Sequence, residues 1–260
     1  MPCVSETKSF KLLMENDPPG VHVVNPSRRA PVCLVCEHAS AEIPSALGDL
    51  GLAEKDRHSH AVWDIGAEKL ARRLSERFDA PLILGGVSRL VYDCNRPPER
   101  ADAMPFRTET VDIPGNREIS AVERAARVCE IYDVFHATLA EQLDGFAEHP
   151  ALVTIHSFTP LWHGEQRKAE IGLLHDDDPS LAEAMQNAAD EGFLVELNVP
   201  YSSADGVTHT LARHGTARGL QNVMIEVRND LLSNDEEISK ITATLEHMLN
   251  KVLLREGLKK

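Results

Sequence analysis

The sequence predicts an α/β fold with a largely parallel sheet covered on both faces. Two observations predict it. Short apolar runs of strand character alternate with stretches of helical spacing, the mark of strand–helix–strand units. The strand candidates are also apolar throughout rather than alternating, as strands buried on both faces are. The hydrophobic share of 42% over 260 residues is enough for a sizeable core.

The elements follow in order. Val32–Val35 reads as a strand. Lys55 to Phe78 reads as a helix, with Trp63, Ala67, Leu70, Ala71, Leu74 and Phe78 three and four apart. Leu82–Leu84 and Leu90–Tyr92 read as strands around Gly85-Gly86. Ser120 to Phe146 reads as a helix opened by a Ser120/Glu123 capping box. "ALVTIHS" (151–157) and "EIGLLH" (170–175) read as strands, 180–190 as a helix, 192–200 and 222–227 as strands, and 234–254 as a closing amphipathic helix. The reading is one domain over 1–260, with segments 97–118 and 200–219 long enough to be lids or binding loops.

Charge narrows the function. A net charge of −14 argues against a nucleic-acid binder, which needs a basic face, and against adhesion to anionic membranes. No apolar run approaches the ~20 residues of a membrane helix. The N-terminus lacks a signal-peptide core, so the expectation is a cytoplasmic protein. The five cysteines make no disulfide framework. Cys33 and Cys36 form a C-x-x-C, but on a strand their thiols point to opposite faces, so the pair reads as structural. "LGGVSR" (84–89) has neither the spacing nor the following helix of a phosphate loop.

The chemistry gathers at strand ends. The first strand leads to Glu37 and His38, the run 90–92 to Asp93, Asn95 and Arg96, the strand 151–155 to His156 and Ser157, and the strand 222–225 to Glu226 and Arg228. Ligands of open α/β sheets bind at the carboxyl ends of strands. Either histidine alone reads as a structural hydrogen-bonder. The two together with a carboxylate are the donor set of a catalytic zinc or another divalent metal. A further carboxylate can then act as general base, and arginines can grip a substrate carboxylate. The third donor is open. Asp64 sits four after His60 on the inner face of the expected helix; Glu37 is its rival, although adjacent strand residues diverge. In the second long loop, "ARHGTARG" offers His214 and Thr216 for carboxylate binding.

The ordered set "VCEHAS", "HAVWDIGA", "VYDCNRPP", "TIHSFTP", "RHGTARG" and "IEVRNDL", spanning about 31–232, resembles the N-formylglutamate amidohydrolase family. The resemblance implies a three-layer α/β/α fold with a mixed, mostly parallel sheet, similar to zinc carboxypeptidases and aspartoacylases. It implies a hydrolase of N-formyl or N-acyl amino acids, small anionic substrates. By the same resemblance, His38 and His156 are metal ligands, Glu226 is the catalytic carboxylate, and Asn95 and Arg96 hold a substrate carboxylate, with Arg228, His214 and Thr216 as further substrate contacts. Asp64 is taken as the third ligand. The related enzymes use His-x-x-Glu, but Ala41 stands three after His38 here, and Glu42 is the nearest acid beyond it. Glu37-His38-Ala39-Ser40 also departs from the Pro-His-Ser-Gly of the histidine-degradation branch, which points to a sister branch with a different substrate. The competing expectation is a metal-free small-anion binding protein on the same scaffold. The oligomeric state is not legible.

Overall fold

The structure, a computed structural model, describes residues 10–26, 30–108 and 110–257. Cys3 and most of the stretch inspected for a signal peptide lie outside them. A seven-stranded sheet runs through the middle in the order β1-β3-β2-β4-β9-β7-β8. Its strands are β1 (Val21–Val24), β2 (Val32–Cys36), β3 (Leu82–Gly85), β4 (Ala151–Phe158), β7 (Ile171–Leu174), β8 (Val195–Leu197) and β9 (Asn222–Arg228). A small hairpin, β5 (Leu161–Trp162) and β6 (Glu165–Gln166), stands apart from it. β3, β2, β4 and β9 are mutually parallel; β1 pairs antiparallel with β3, β7 pairs antiparallel with β9, and β7 and β8 are parallel to each other. Helices α1 (Ala67–Phe78), α4 (Ser180–Ala188) and α5 (Asp235–Gly257) pack on one face. On the other face lie α2 (Ala121–Arg127), α3 (Asp133–Asp144) and the long loops. This is the three-layer α/β/α arrangement.

The inner strands β2, β3, β4 and β7 are buried along their whole length, so their sequences are apolar without alternation. Cys36 packs with the α1 layer and Cys33 with the α3 layer, so the C-x-x-C pair is split by the sheet. No helix among the described residues is long and apolar enough to cross a membrane.

Three expected elements differ. The helix expected from Lys55 begins only at Ala67, because Gly66 sits at φ 84° in the left-handed region and interrupts the helix. Residues 57–66 are turns, and Asp64 is freed to face the sheet end. Leu90–Tyr92 is a buried turn rather than a strand: Ser88 Oγ accepts from Leu90 N, and Asn116 Nδ2 and the fully buried Arg127 Nη1 donate to the carbonyls of Leu90 and Val91. Side chains thus take the backbone groups that a strand would have paired. Finally, the helix expected over 120–146 opens on Ser120, whose Oγ accepts from Glu123 N, but a π-helical turn at Val128–Tyr132 divides it into α2 and α3.

Gly85-Gly86 has a packing role. A Cβ on Gly85 would lie 2.0 Å from the carbonyl oxygen of Glu37, and one on Gly86 would lie 1.8 Å from that of Pro19. The Glu37–His38 turn is therefore laid directly against bare backbone. Gly85→Ala should lower stability by about 1–3 kcal/mol, the ordinary range for overpacking, and should reduce metal affinity with it. Thermal unfolding and metal titration check both; an unaltered variant would contradict this packing role.

Candidate metal centre

β2, β4 and β9 end at the same edge of the sheet, and that common end delivers His38, His156 and Glu226. His156 and Glu226 are register partners on adjacent strands, so both side chains rise from one face. Asp64 is strapped in from both sides. Its N–H donates to His38 O at 3.0 Å, and Ser157 Oγ donates to Ile65 O at 2.9 Å.

His38, Asp64 and His156 are all buried. Three donor atoms, His38 Nδ1, His156 Nδ1 and Asp64 Oδ2, form a triangle with sides of 3.2, 3.2 and 2.9 Å. Tetrahedral zinc with bonds of 2.0–2.1 Å separates its donors by about 3.3 Å, so the triangle has the size of one face of that tetrahedron. The outer nitrogens are braced by carboxylates. His38 Nε2 lies 2.8 Å from Asp93 Oδ1, and His156 Nε2 lies 3.0 Å from Glu37 Oε2. The second contact is made off the N–H direction, and among the described residues the Glu37 oxygens have no aligned hydrogen bond. Carboxylates on the far nitrogens assign the proton to Nε2 and turn Nδ1 inward, the arrangement found behind metal-binding histidines. The donor set therefore fits a divalent metal.

Burial opposes charge on Glu37, but His156 outweighs it and holds the carboxyl down at about 2. Burial is likewise outweighed at Asp93 by His38 and Arg96, and at Asp64 by Arg89 and His38, so both stay well below the usual carboxylate range. His156 is pushed up against its desolvation by Glu37 and Asp64. It must release its Nδ1 proton before that nitrogen can serve as a ligand.

Glu226 is the opposite case. It is buried and its Oε2 has no hydrogen-bond partner among the described residues. Burial first, opposed by His156 and reinforced by Asp64, raises its carboxyl to about 7. A carboxyl poised there suits a general base. His38, Asp64, Asp93, His156 and Glu226 line a cavity of about 550 Å³ at the sheet end.

Residues 30–233 match the family model described as N-formylglutamate amidohydrolase. The chain belongs to the N-formylglutamate amidohydrolase family. Membership places it among carbon–nitrogen hydrolases. Among solved structures, a gene product from Agrobacterium tumefaciens is 46% identical with a TM-score of 0.91, over 95% of this chain and 100% of that one. N-formylglutamate amidohydrolase from Ralstonia eutropha JMP134 shares the fold, with 16% identity and a TM-score of 0.66, over 92% of this chain and 99% of that one. No curated protein sequence matches the chain.

Not every residue singled out in this amidohydrolase reaches the cavity. Arg96 lines it, held by Nε on Asp102 Oδ2 at 3.1 Å. Asn95 also lines it, but its amide is committed to the second loop, donating to Val207 O and accepting from Thr210 N. The expected substrate contacts Arg228, His214 and Thr216 are placed elsewhere. Arg228 is drawn to Asp230 at 2.8 Å, and Thr216 Oγ1 donates to Asp176 Oδ2 at 2.9 Å. His214 stacks on His136 at 5.0 Å and donates from Nε2 to His136 Nδ1 at 2.8 Å. Burial and neighbouring cationic or imidazole groups push both of these histidines down to about 3, so they form a neutral packed pair. As for the rival acids, Glu42 is exposed and Glu37 braces His156 rather than joining the donor triangle.

Sequence reasoning missed Arg89. Its Nη1 donates to Asp64 Oδ1 at 3.0 Å and its Nη2 lies 2.6 Å from His38 Nδ1. That second contact has to open before His38 Nδ1 can face a metal. The signal was a lone arginine immediately before the run 90–92, at the end of a stretch dismissed as a failed phosphate loop.

Proposed function

We propose that the chain hydrolyses the amide bond of an N-formyl or N-acyl amino acid, with a divalent metal, zinc by its donor set, held by His38, Asp64 and His156. The observation that carries this reading is the donor triangle with each histidine braced by a buried carboxylate, beside an unpaired buried glutamate. When bound, zinc supplies a water of lowered pKa and polarises a carbonyl. Glu226 takes the proton of the attacking water and passes it to the leaving nitrogen. Arg89 donates to the oxyanion that develops on the substrate. Arg96 receives the substrate carboxylate at the other end of the cavity, while Asn95 holds the second loop in place.

The test is metal analysis of the purified protein together with release of formate or another acid from N-formyl, N-acetyl and longer N-acyl amino acids, with added zinc and with chelator. Turnover that is lost with chelator and restored by zinc supports the reading; no turnover under any metal condition overturns it. The pH dependence follows from Glu226. Only its carboxylate can accept a proton, so kcat should fall as pH drops, along an acid limb at or below about 7, because a nearby dication favours the carboxylate. In Glu226→Gln the residual activity should lose that limb; a limb that persists unchanged would assign it to another group.

A further inference from the structure

The two ends of the cavity differ in chemistry. Arg96 follows β3, on one side of the metal centre. On the other side, past β4 and towards β9 and β8, the lining is Trp162, Tyr201 and Met224. Arg167 holds this side rigid from behind. Its guanidinium lies 4.8 Å from the ring centroid of Trp162, 5.0 Å from that of Tyr201 and 5.4 Å from that of Phe158. It also donates to Thr159 O at 3.3 Å and Tyr201 Oη at 3.1 Å. Yet Trp162 remains 40% exposed. A large apolar ring fixed in position and left uncovered beside a reacting centre is a binding surface.

In an N-acyl amino acid, the carboxylate and the acyl group lie on opposite sides of the scissile bond. With the carboxylate on Arg96, the acyl group would be left to the part of the lining that Trp162 and Tyr201 supply. Formyl is one carbon and cannot cover that wall. We propose that Trp162, Tyr201 and Met224 form an acyl subsite, and that the preferred substrate carries a bulky aromatic acyl group in place of formyl. This rests on the hydrolase reading above.

The experiment compares kcat/KM for the N-formyl, N-acetyl and N-phenylacetyl derivatives of one amino acid with the zinc-supplemented protein. The phenylacetyl derivative should exceed the formyl one by at least tenfold, the scale of discrimination an apolar pocket gives. Trp162→Ala should lower the phenylacetyl-to-formyl ratio about tenfold, and Trp162→Phe should retain most of it. Formyl turned over as well as phenylacetyl overturns the acyl subsite and leaves the hydrolase reading standing. No turnover of any member overturns both. An unchanged ratio in a folded Trp162→Ala overturns the role of the wall; if that variant does not fold, the wild-type panel and Trp162→Phe still decide.

Discussion

Glu226→Gln should lower kcat by about 10²–10⁴-fold, the usual contribution of a positioned general base, with metal content unchanged. It should also make the metal-free protein more stable at alkaline pH. The sign follows from the raised carboxyl. A group whose folded-state pKa lies above its unfolded value, here about 7 against about 4.3, stabilises fully below the unfolded value. That contribution is lost as pH rises through the folded one. Above pH 7 the wild-type protein therefore carries an unpaired buried carboxylate, disfavoured by roughly 2–4 kcal/mol before relaxation. Glutamine removes that charge while keeping the shape. The melting temperatures of variant and wild type should lie closest at pH 4 and separate progressively up to pH 8.5, with the variant higher. Full activity in this variant would remove Glu226 from the mechanism. Equal melting temperatures at both pH values would remove its unpaired charge.

The parts of this chain that were legible in sequence are those where one physical rule decides the outcome. β4 and β9 are continuous apolar runs ending in a polar residue. A parallel sheet buried on both faces forces both features, and the shared strand end then brings His156 and Glu226 together. What escaped was decided by tertiary partners. The run 90–92 is as apolar as a strand, and it becomes a turn because Arg127 and Asn116, far along the chain, satisfy its carbonyls. β1 escaped because it is a short edge strand with half its residues exposed. Arg89 escaped because nothing local marks an arginine that reaches back to Asp64 and His38. Asp64, which the structure brings beside the two histidines, was singled out by a helical argument whose helix does not exist there. His60 and Asp64 come within 3.8 Å through a turn, not a helix face.

Asp64→Asn should be the most damaging single change at the centre, and it separates the three acids that sequence reasoning left in competition. Asparagine keeps the shape but removes the charge that Arg89 and the protonated His156 both face. Breaking one partner of a buried ion pair is destabilising by about 3–5 kcal/mol, and the ligand itself is lost. Zinc affinity should therefore fall by more than the 10–100-fold typical of an outer-shell change, and metal-free stability should fall as well. Glu37→Gln should lie in between, with zinc affinity down about 10–100-fold because it leaves the triangle intact and loosens only the orientation of His156. Glu42→Gln should leave both unchanged, because Glu42 is exposed and outside the donor triangle. Competitive zinc titration and thermal unfolding of the three variants give the order directly. If Glu37→Gln lost zinc more completely than Asp64→Asn, Glu37 would be the ligand and Asp64 the brace, because a buried carboxylate can hold either place but only the one in the triangle dominates affinity.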